Sequence, residues 1–286
     1  MSSFRNKKGS MQTCIHCSNN YSIRVNKCPQ CKLWKIGTVS QMIPKKDTYN
    51  NIKNVYVINL EKDRKRLITF FNNIKKIKIS TKNRKWSRFN AINGMQFNTI
   101  QEELKHVPNH IQQTVVNYWK KYPGSIGCYF SHIKLWEHIY NNPSSSEYTL
   151  ILEDDSFFTP NGLINIEIAL KSAMNLNWDL LYAGHNLLKG NKIRPLFLKP
   201  HPANPNENNR GFNSGLFGYI IRKSSIPKLL YIVKQFQSPF IDVQIRNSFG
   251  DGPHKIQGLF IISNLIRHNN AGGSSRKNFD YNVNHN

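Results

Sequence analysis

The chain has 286 residues, of which 39% are hydrophobic. That is enough to bury a core of domain size, which excludes a wholly disordered chain. Lys and Arg number 40 against 16 Asp and Glu, a net charge of +24, so the expected partners are anionic: nucleic acid, sugar nucleotides or a charged surface. No run approaches the ~18 apolar residues of a membrane span, and no apolar h-region follows Met1, so the sequence reads as cytoplasmic.

Residues 1–12 are polar and are expected to be disordered. Residues 13–35 carry Cys14-Ile-His-Cys17 and Cys28-Pro-Gln-Cys31. Two C-x-x-C pairs at this spacing can set four thiolates around one structural Zn²⁺, as in a zinc ribbon. A reduced, metal-free set is the alternative. The segment is basic, with Asp47 the only acid in residues 1–50. It is therefore either a nucleic-acid-binding module or a solvated, metal-stapled appendage. Residues 36–52, with Gly37, Pro44 and Asn50-Asn51, read as a linker.

A main domain is expected over 53–267. Asn54 to Leu60 is an apolar run that fits a buried strand. The charged stretch Glu61 to Arg66 follows, and then Leu67, Phe70, Phe71, Ile74 and Ile77 recur at helical spacing, with Asp63 a candidate cap. Strand, turn and helix open a βαβ unit. Trp86 to Ile92 is a second strand, ended by Asn93-Gly94. Helix is expected from Ile100 to Tyr122, interrupted near Pro108 and stopped at Pro123-Gly124.

The next helix carries an apolar stripe of Ile126, Phe130, Ile133, Trp136 and Tyr140. Cys128 and His132 are four apart and share a face. His132 is either a satisfied core histidine or a site residue, and Cys128 reads as a small buried apolar side chain. Glycines at 124 and 127 would allow a ligand or a backbone to come close.

Tyr148-Thr-Leu-Ile-Leu152 then runs directly into Glu153, Asp154 and Asp155. Five uncharged residues fit a strand buried on both faces of a parallel sheet, and three ionised carboxylates cannot follow it inside. The strand must end where the acids begin, at the sheet edge where open α/β folds bind ligands. Clustered carboxylate oxygens suit Mg²⁺ or Mn²⁺. The alternative is a solvated turn. A P-loop nucleotidase is excluded because no G-x-x-x-x-G-K-[ST] loop is present.

Further on, Leu163 to Leu176 is helical in pattern and Trp178 to Ala183 is a strand. Residues 189–211 read as a long basic loop. Phe212 to Ile221 is strand-like, with Gly215 and Gly218 marking close backbone approach. Ser224-Ser225-Ile-Pro227 looks like a capped helix start. Asp242 is an acid in an apolar run, either structural or a site residue. Residues 268–286 are a polar tail or lid.

Taken in order, Ile58-Asn59-Leu60 with Arg64, Phe89 to Gly94, Ile126-Gly-Cys128 with Ser131-His132, Leu152 to Asp155, Trp178 to Tyr182, Gly215 to Tyr219, and Asp242 resemble glycosyltransferase family 25. That family includes bacterial lipooligosaccharide and procollagen galactosyltransferases, with members in large DNA viruses. The resemblance covers about residues 54–262. It implies an α/β, GT-A-type, Rossmann-like domain with a mostly parallel sheet, and inverting transfer of a galactose- or glucose-type hexose. The implied donor is a nucleotide-sugar, UDP-sugar first, and the acceptor is a glycan, lipid-linked glycan or protein hydroxyl. Ser125 stands where the family carries Glu, so one site carboxylate is missing, and His268 is the candidate for a third metal ligand.

On this reading Glu153, Asp154 and Asp155 hold Mn²⁺ or Mg²⁺. Asn59, Leu60 and Arg64 meet the nucleotide or its phosphates, and Gly127, Gly215 and Tyr219 shape the donor site. Asp242 is the first choice of general base and Glu137 the second, with His132 orienting the site. Two alternatives remain: a nucleic-acid-binding zinc-ribbon protein, and an inactive transferase fold serving as a scaffold.

Overall fold

The structure is a computed structural model that describes residues 11–13, 20–22, 50–76, 83–202 and 213–268. The chain divides into two compact units, 1–49 and 50–286. In the first, strands β1 (Met11–Thr13) and β2 (Asn20–Ser22) pair antiparallel. β1 takes in Met11 and Gln12 of the segment 1–12, and the rest of that segment lies outside the described residues. The four cysteines assigned to zinc lie outside the described residues.

The second unit is built on an eight-stranded sheet. In sequence its strands are β3 (Asn54–Asn59), β4 (Lys85–Asn90), β5 (Tyr148–Glu153), β7 (Leu180–Tyr182), β8 (Gly190–Arg194), β9 (Phe197–Pro200), β10 (Gly218–Arg222) and β11 (Gly258–Ile261). In space they lie in the order β4-β3-β5-β10-β7-β11-β9-β8. β4, β3 and β5 are mutually parallel, as are β7 and β11, whereas β10 runs against both of its neighbours and β9 against both of its own. Most strands thus share one direction. β5 does not lie between two parallel partners, as its sequence had implied, because its second neighbour is the antiparallel β10.

Two hydrophobic layers cover the faces, and the alternation of strand side chains assigns them. Tyr56, Ile58, Ile151 and Tyr219 face one core. Val55, Val57, Leu150, Leu152 and Ile220 face the other. Helices α2 (Phe97–Glu103), α3 (Asn109–Lys121), α4 (Pro123–Asn141), α6 (Ile226–Val233) and α7 (Ile241–Asn247) contribute to the first core. Helices α1 (Arg64–Lys76) and α5 (Gly162–Ala173) contribute to the second. Each fully buried Val, Leu or Ile stabilises this arrangement by about 1.5–3 kcal/mol.

The helix before Pro123 ends at Lys121, as expected, and Pro123 also opens the next one. It occupies the first turn of α4, where its missing N–H and fixed φ cost nothing. The helix expected from Ile100 with an interruption near Pro108 is α2, a 3-10 turn over Leu104–His106, and α3 beginning just after Pro108. The expected loop over 189–211 contains the hairpin β8–β9. β8 sits at the sheet edge and its residues are largely exposed, so it lacks the buried alternation that marks an inner strand. Of the expected strand Phe212 to Ile221, the described residues from Asn213 yield strand only from Gly218, and Ser225 makes no side-chain cap hydrogen bond to α6. A short strand β6 (Ser156–Phe158), read as turn, pairs antiparallel with β12 (Ile266–His268).

Candidate active site

Because β3 and β5 are parallel neighbours, with Ile58 opposite Glu153, their carboxyl ends stop side by side. The antiparallel β10 starts at that same edge, where Gly218 faces Leu152 and the Glu153 N–H donates to the Phe217 carbonyl. A cavity of about 300 Å³ opens there. Its walls are the end of β3 with Lys62, Asp63 and Arg66, the 91–95 loop after β4, the first turns of α4, Glu153 to Asp155, Asn186, Gly215 to Phe217, Phe240 to Asp242, and His268.

The loop after β4 is fixed to α4. Ser131 Oγ accepts the Ile92 N–H at 2.8 Å and donates to the Gly127 carbonyl at 2.6 Å, while Trp119 Nε1 donates to the Gly94 carbonyl. A Cβ on Gly127 would lie 2.6 Å from the Gly94 nitrogen. Gly127 therefore admits a backbone, and it does not line the cavity. Gly215 does line it, and takes φ +103°, where only glycine sits without strain.

The three consecutive acids separate in function. Asp154 is held by Arg66 at 2.6 Å and by the Asn59 amide at 2.7 Å. Burial raises its pKa, and Arg66 and Asn59 pull it back. Asp155 meets Arg66 at 3.1 Å through Oδ2, while its Oδ1 is buried with no hydrogen-bond partner among the described residues. Burial, with the charges of Glu153 and Asp154 adding and Arg66 opposing, pushes the Asp155 pKa up to about 7. Glu153 turns to His132, whose Nε2 is 3.5 Å from its Oε1, and to Cys128. His132 Nδ1 bonds the Tyr219 hydroxyl at 2.8 Å, and Trp136 Nε1 donates to the same oxygen. Burial pushes the His132 pKa down, but Cys128 and Glu153 outweigh it and bring it to about 9.

The structure brings Asn59, Leu60, His132, Glu153, Asp154, Asp155, Gly215, Asp242 and His268 to one cavity. Others lie elsewhere. Arg64 is 76% exposed, pairs with Glu61 and is not in the lining; the guanidinium in the cavity is that of Arg66. The phase of α1 decides this, because Arg66, Phe70 and Ile74 fall on one stripe and Phe70 and Ile74 are buried. The Asn59 side chain is fully engaged, donating to Asp154 and the Asp63 carbonyl and accepting from Arg88. Glu137 stands away from the cavity, bound by Lys234 at 2.7 Å and by His106. Tyr219 is buried beneath His132 rather than in the lining.

Sequence reasoning missed Lys62, Asp63, Asn186, Phe217 and Phe240 in the lining. Only the register of neighbouring elements places these residues. Ser125 gains weight here: in the first turn of α4 its Oγ is buried with no hydrogen-bond partner among the described residues. Such a helix start, beside Arg66 and Lys62, suits phosphate oxygens. The oxygens of Asp155 and Glu153 form a hard donor set, and the unpartnered Asp155 Oδ1 fits a divalent cation.

A family model described as glycosyltransferase family 25 (LPS biosynthesis protein) matches residues 52–245. A curated protein of Aedes aegypti described as a glycosyltransferase 25 family member is 28% identical over 142 residues, which cover 48% of this chain and 22% of that protein. The chain thus matches less than a quarter of that relative's length. A crystal structure of a glycosyltransferase involved in the glycosylation of the major capsid of PBCV-1 is similar at a TM-score of 0.43 and 9% identity, over 79% of this chain and 96% of that one.

Proposed function

The chain belongs to glycosyltransferase family 25, and we propose that its cavity binds a nucleotide-sugar, UDP-sugar first, and transfers a hexose to a glycan, lipid-linked glycan or protein hydroxyl with inversion. The observation that carries this reading is Asp155, whose Oδ1 is buried with no hydrogen-bond partner among the described residues, in the wall of a cavity also lined by Arg66 and Lys62. The proposed domain is of the GT-A type, with its site at the carboxyl edge of β3 and β5.

A hard divalent cation, Mn²⁺ or Mg²⁺, held by Asp155 and Glu153, would supply Lewis-acid stabilisation of the departing diphosphate. Arg66, Lys62 and the start of α4 at Gly124 and Ser125 neutralise phosphate charge. Asp154 works through Arg66, whose guanidinium it holds in place. Gly215 leaves room for the sugar. Asp242, in the first turn of α7, takes the proton of the acceptor hydroxyl. The acceptor oxygen then bonds the anomeric carbon from the far face as the carbon–phosphate oxygen bond breaks and the nucleoside diphosphate leaves. A structural Zn²⁺ on Cys14, Cys17, Cys28 and Cys31 belongs to the same proposal and rests on their spacing.

Incubation with a panel of UDP- and GDP-sugars and Mn²⁺, with and without EDTA, tests the reading. Nucleotide release that EDTA abolishes and Asp155→Ala loses is the expected result. Absence of both release and sugar-nucleotide binding overturns it. Steeply salt-dependent polynucleotide binding without turnover would then move the assignment to nucleic acid.

A further inference from the structure

We propose that Cys128, His132 and Glu153 form a second cation site, selective for a thiophilic divalent ion such as Zn²⁺, in the floor of the cavity. Cys128 and His132 are one turn apart on α4, and Glu153 ends the neighbouring strand β5. One ligand atom from each lies within 4.8 Å of the other two. Glu153 Oε1 is 3.5 Å from His132 Nε2 and 4.0 Å from Cys128 Sγ. The edges of a zinc tetrahedron built from Zn–N, Zn–O and Zn–S bonds are about 3.3–3.8 Å, so a small contraction around an ion completes three corners.

The surroundings fit a ligand set. His132 is held from behind, with Nδ1 on the Tyr219 hydroxyl and that oxygen accepting the Trp136 indole N–H. A tyrosine oxygen can accept both protons, which leaves His132 Nε2 to give up its own proton to an arriving cation and offer its lone pair beside Glu153 and Cys128. Metal-bound histidines are oriented in this way through their second nitrogen. A thiolate and a carboxylate together balance a dication. All three residues line the cavity, so the fourth position faces solvent or a bound ligand, as in open zinc sites. The thiolate sets the preference: Asp155 offers oxygen to a hard ion, while Cys128 selects zinc or cobalt over magnesium or manganese.

The test does not depend on glycosyl transfer. Metal-free full-length protein and its Cys128→Ser variant are titrated with Co²⁺ under a non-thiol reductant. Wild type is expected to bind one equivalent more than the variant and to show more thiolate-to-cobalt charge-transfer absorption. Equal stoichiometry and absorption would overturn the site. A readout without substitution is alkylation of Cys128, followed on its own peptide by mass spectrometry, which keeps it apart from the four N-terminal cysteines. Zn²⁺ should slow it about tenfold or more and Mg²⁺ should not, because a metal-bound thiolate is a poor nucleophile. An unchanged rate with Zn²⁺ counts against the proposal. A loss of transferase activity on mutation has no bearing on either measurement.

Discussion

Asp154 and Asp155 are adjacent, yet one is held by Arg66 and Asn59 and the other keeps a buried oxygen with no hydrogen-bond partner among the described residues. Their energetics follow. The Asp155 pKa is raised to about 7 in the folded chain, above the ~3.9 of an unfolded aspartate. Below about pH 3 both states are protonated and the residue contributes nothing. As pH rises to 7 the unfolded state ionises first, so stability falls, and above pH 7 the penalty is fully present. In metal-free buffer Asp155→Asn should leave stability unchanged at about pH 3 and stabilise the protein at about pH 8 by on the order of 2 kcal/mol, as read by denaturant unfolding. The two arginines allow a second prediction. Arg66→Ala should cut nucleotide-sugar turnover about 100-fold, whereas Arg64→Ala, exposed and paired only with Glu61, should change it less than twofold. The acid triplet was legible in the sequence because an apolar strand cannot continue into three charges. The choice of Arg66 over Arg64 was not, because it depends on which face of α1 packs.

At the scale of elements, glycine placement shows how far a local signal carries. Gly127 was readable as a point of close approach and Gly94 only as a turn, yet what approaches at both is backbone: a Cβ on Gly94 would fall 1.8 Å from the Pro123 carbonyl oxygen. Gly127→Ala should therefore destabilise the protein by about 2–3 kcal/mol in equilibrium unfolding, because both backbones are fixed by hydrogen bonds and neither can yield cheaply. Strands β3 and β5 and helices α1 and α4 were legible from their apolar periods, since each buries a face. Strands β6, β8 and β12 were not. β6 and β12 have three residues each, too few for an alternation to be read, and β8 lies at an edge with most of its residues exposed.

For the whole molecule, the α/β class followed from alternating strand and helix patterns, but the reversed direction of β10 is a long-range choice that no local signal records. The division at Tyr49/Asn50 predicts that removing residues 1–49 leaves a unit that still unfolds cooperatively, checked by calorimetry. One buried carboxylate ties the start of that unit together: Glu167 on α5 accepts the Asn51 and Ile52 N–H groups and pairs with Arg84 at 2.8 Å. Glu167→Ala should cost about 3–5 kcal/mol, seen as a lowered urea midpoint, because it removes a buried carboxylate that pairs with Arg84 and leaves two backbone amides without their acceptor. The reversal of β10 also bears on divergence. β7 ends and β10 begins at the same edge, so both ends of the 183–217 segment stand at the cavity, at Asn186 and at Gly215 to Phe217. Chain length can change between them at small entropic cost without repacking the central strands. Relatives that glycosylate different acceptors should therefore differ first in the length of this segment.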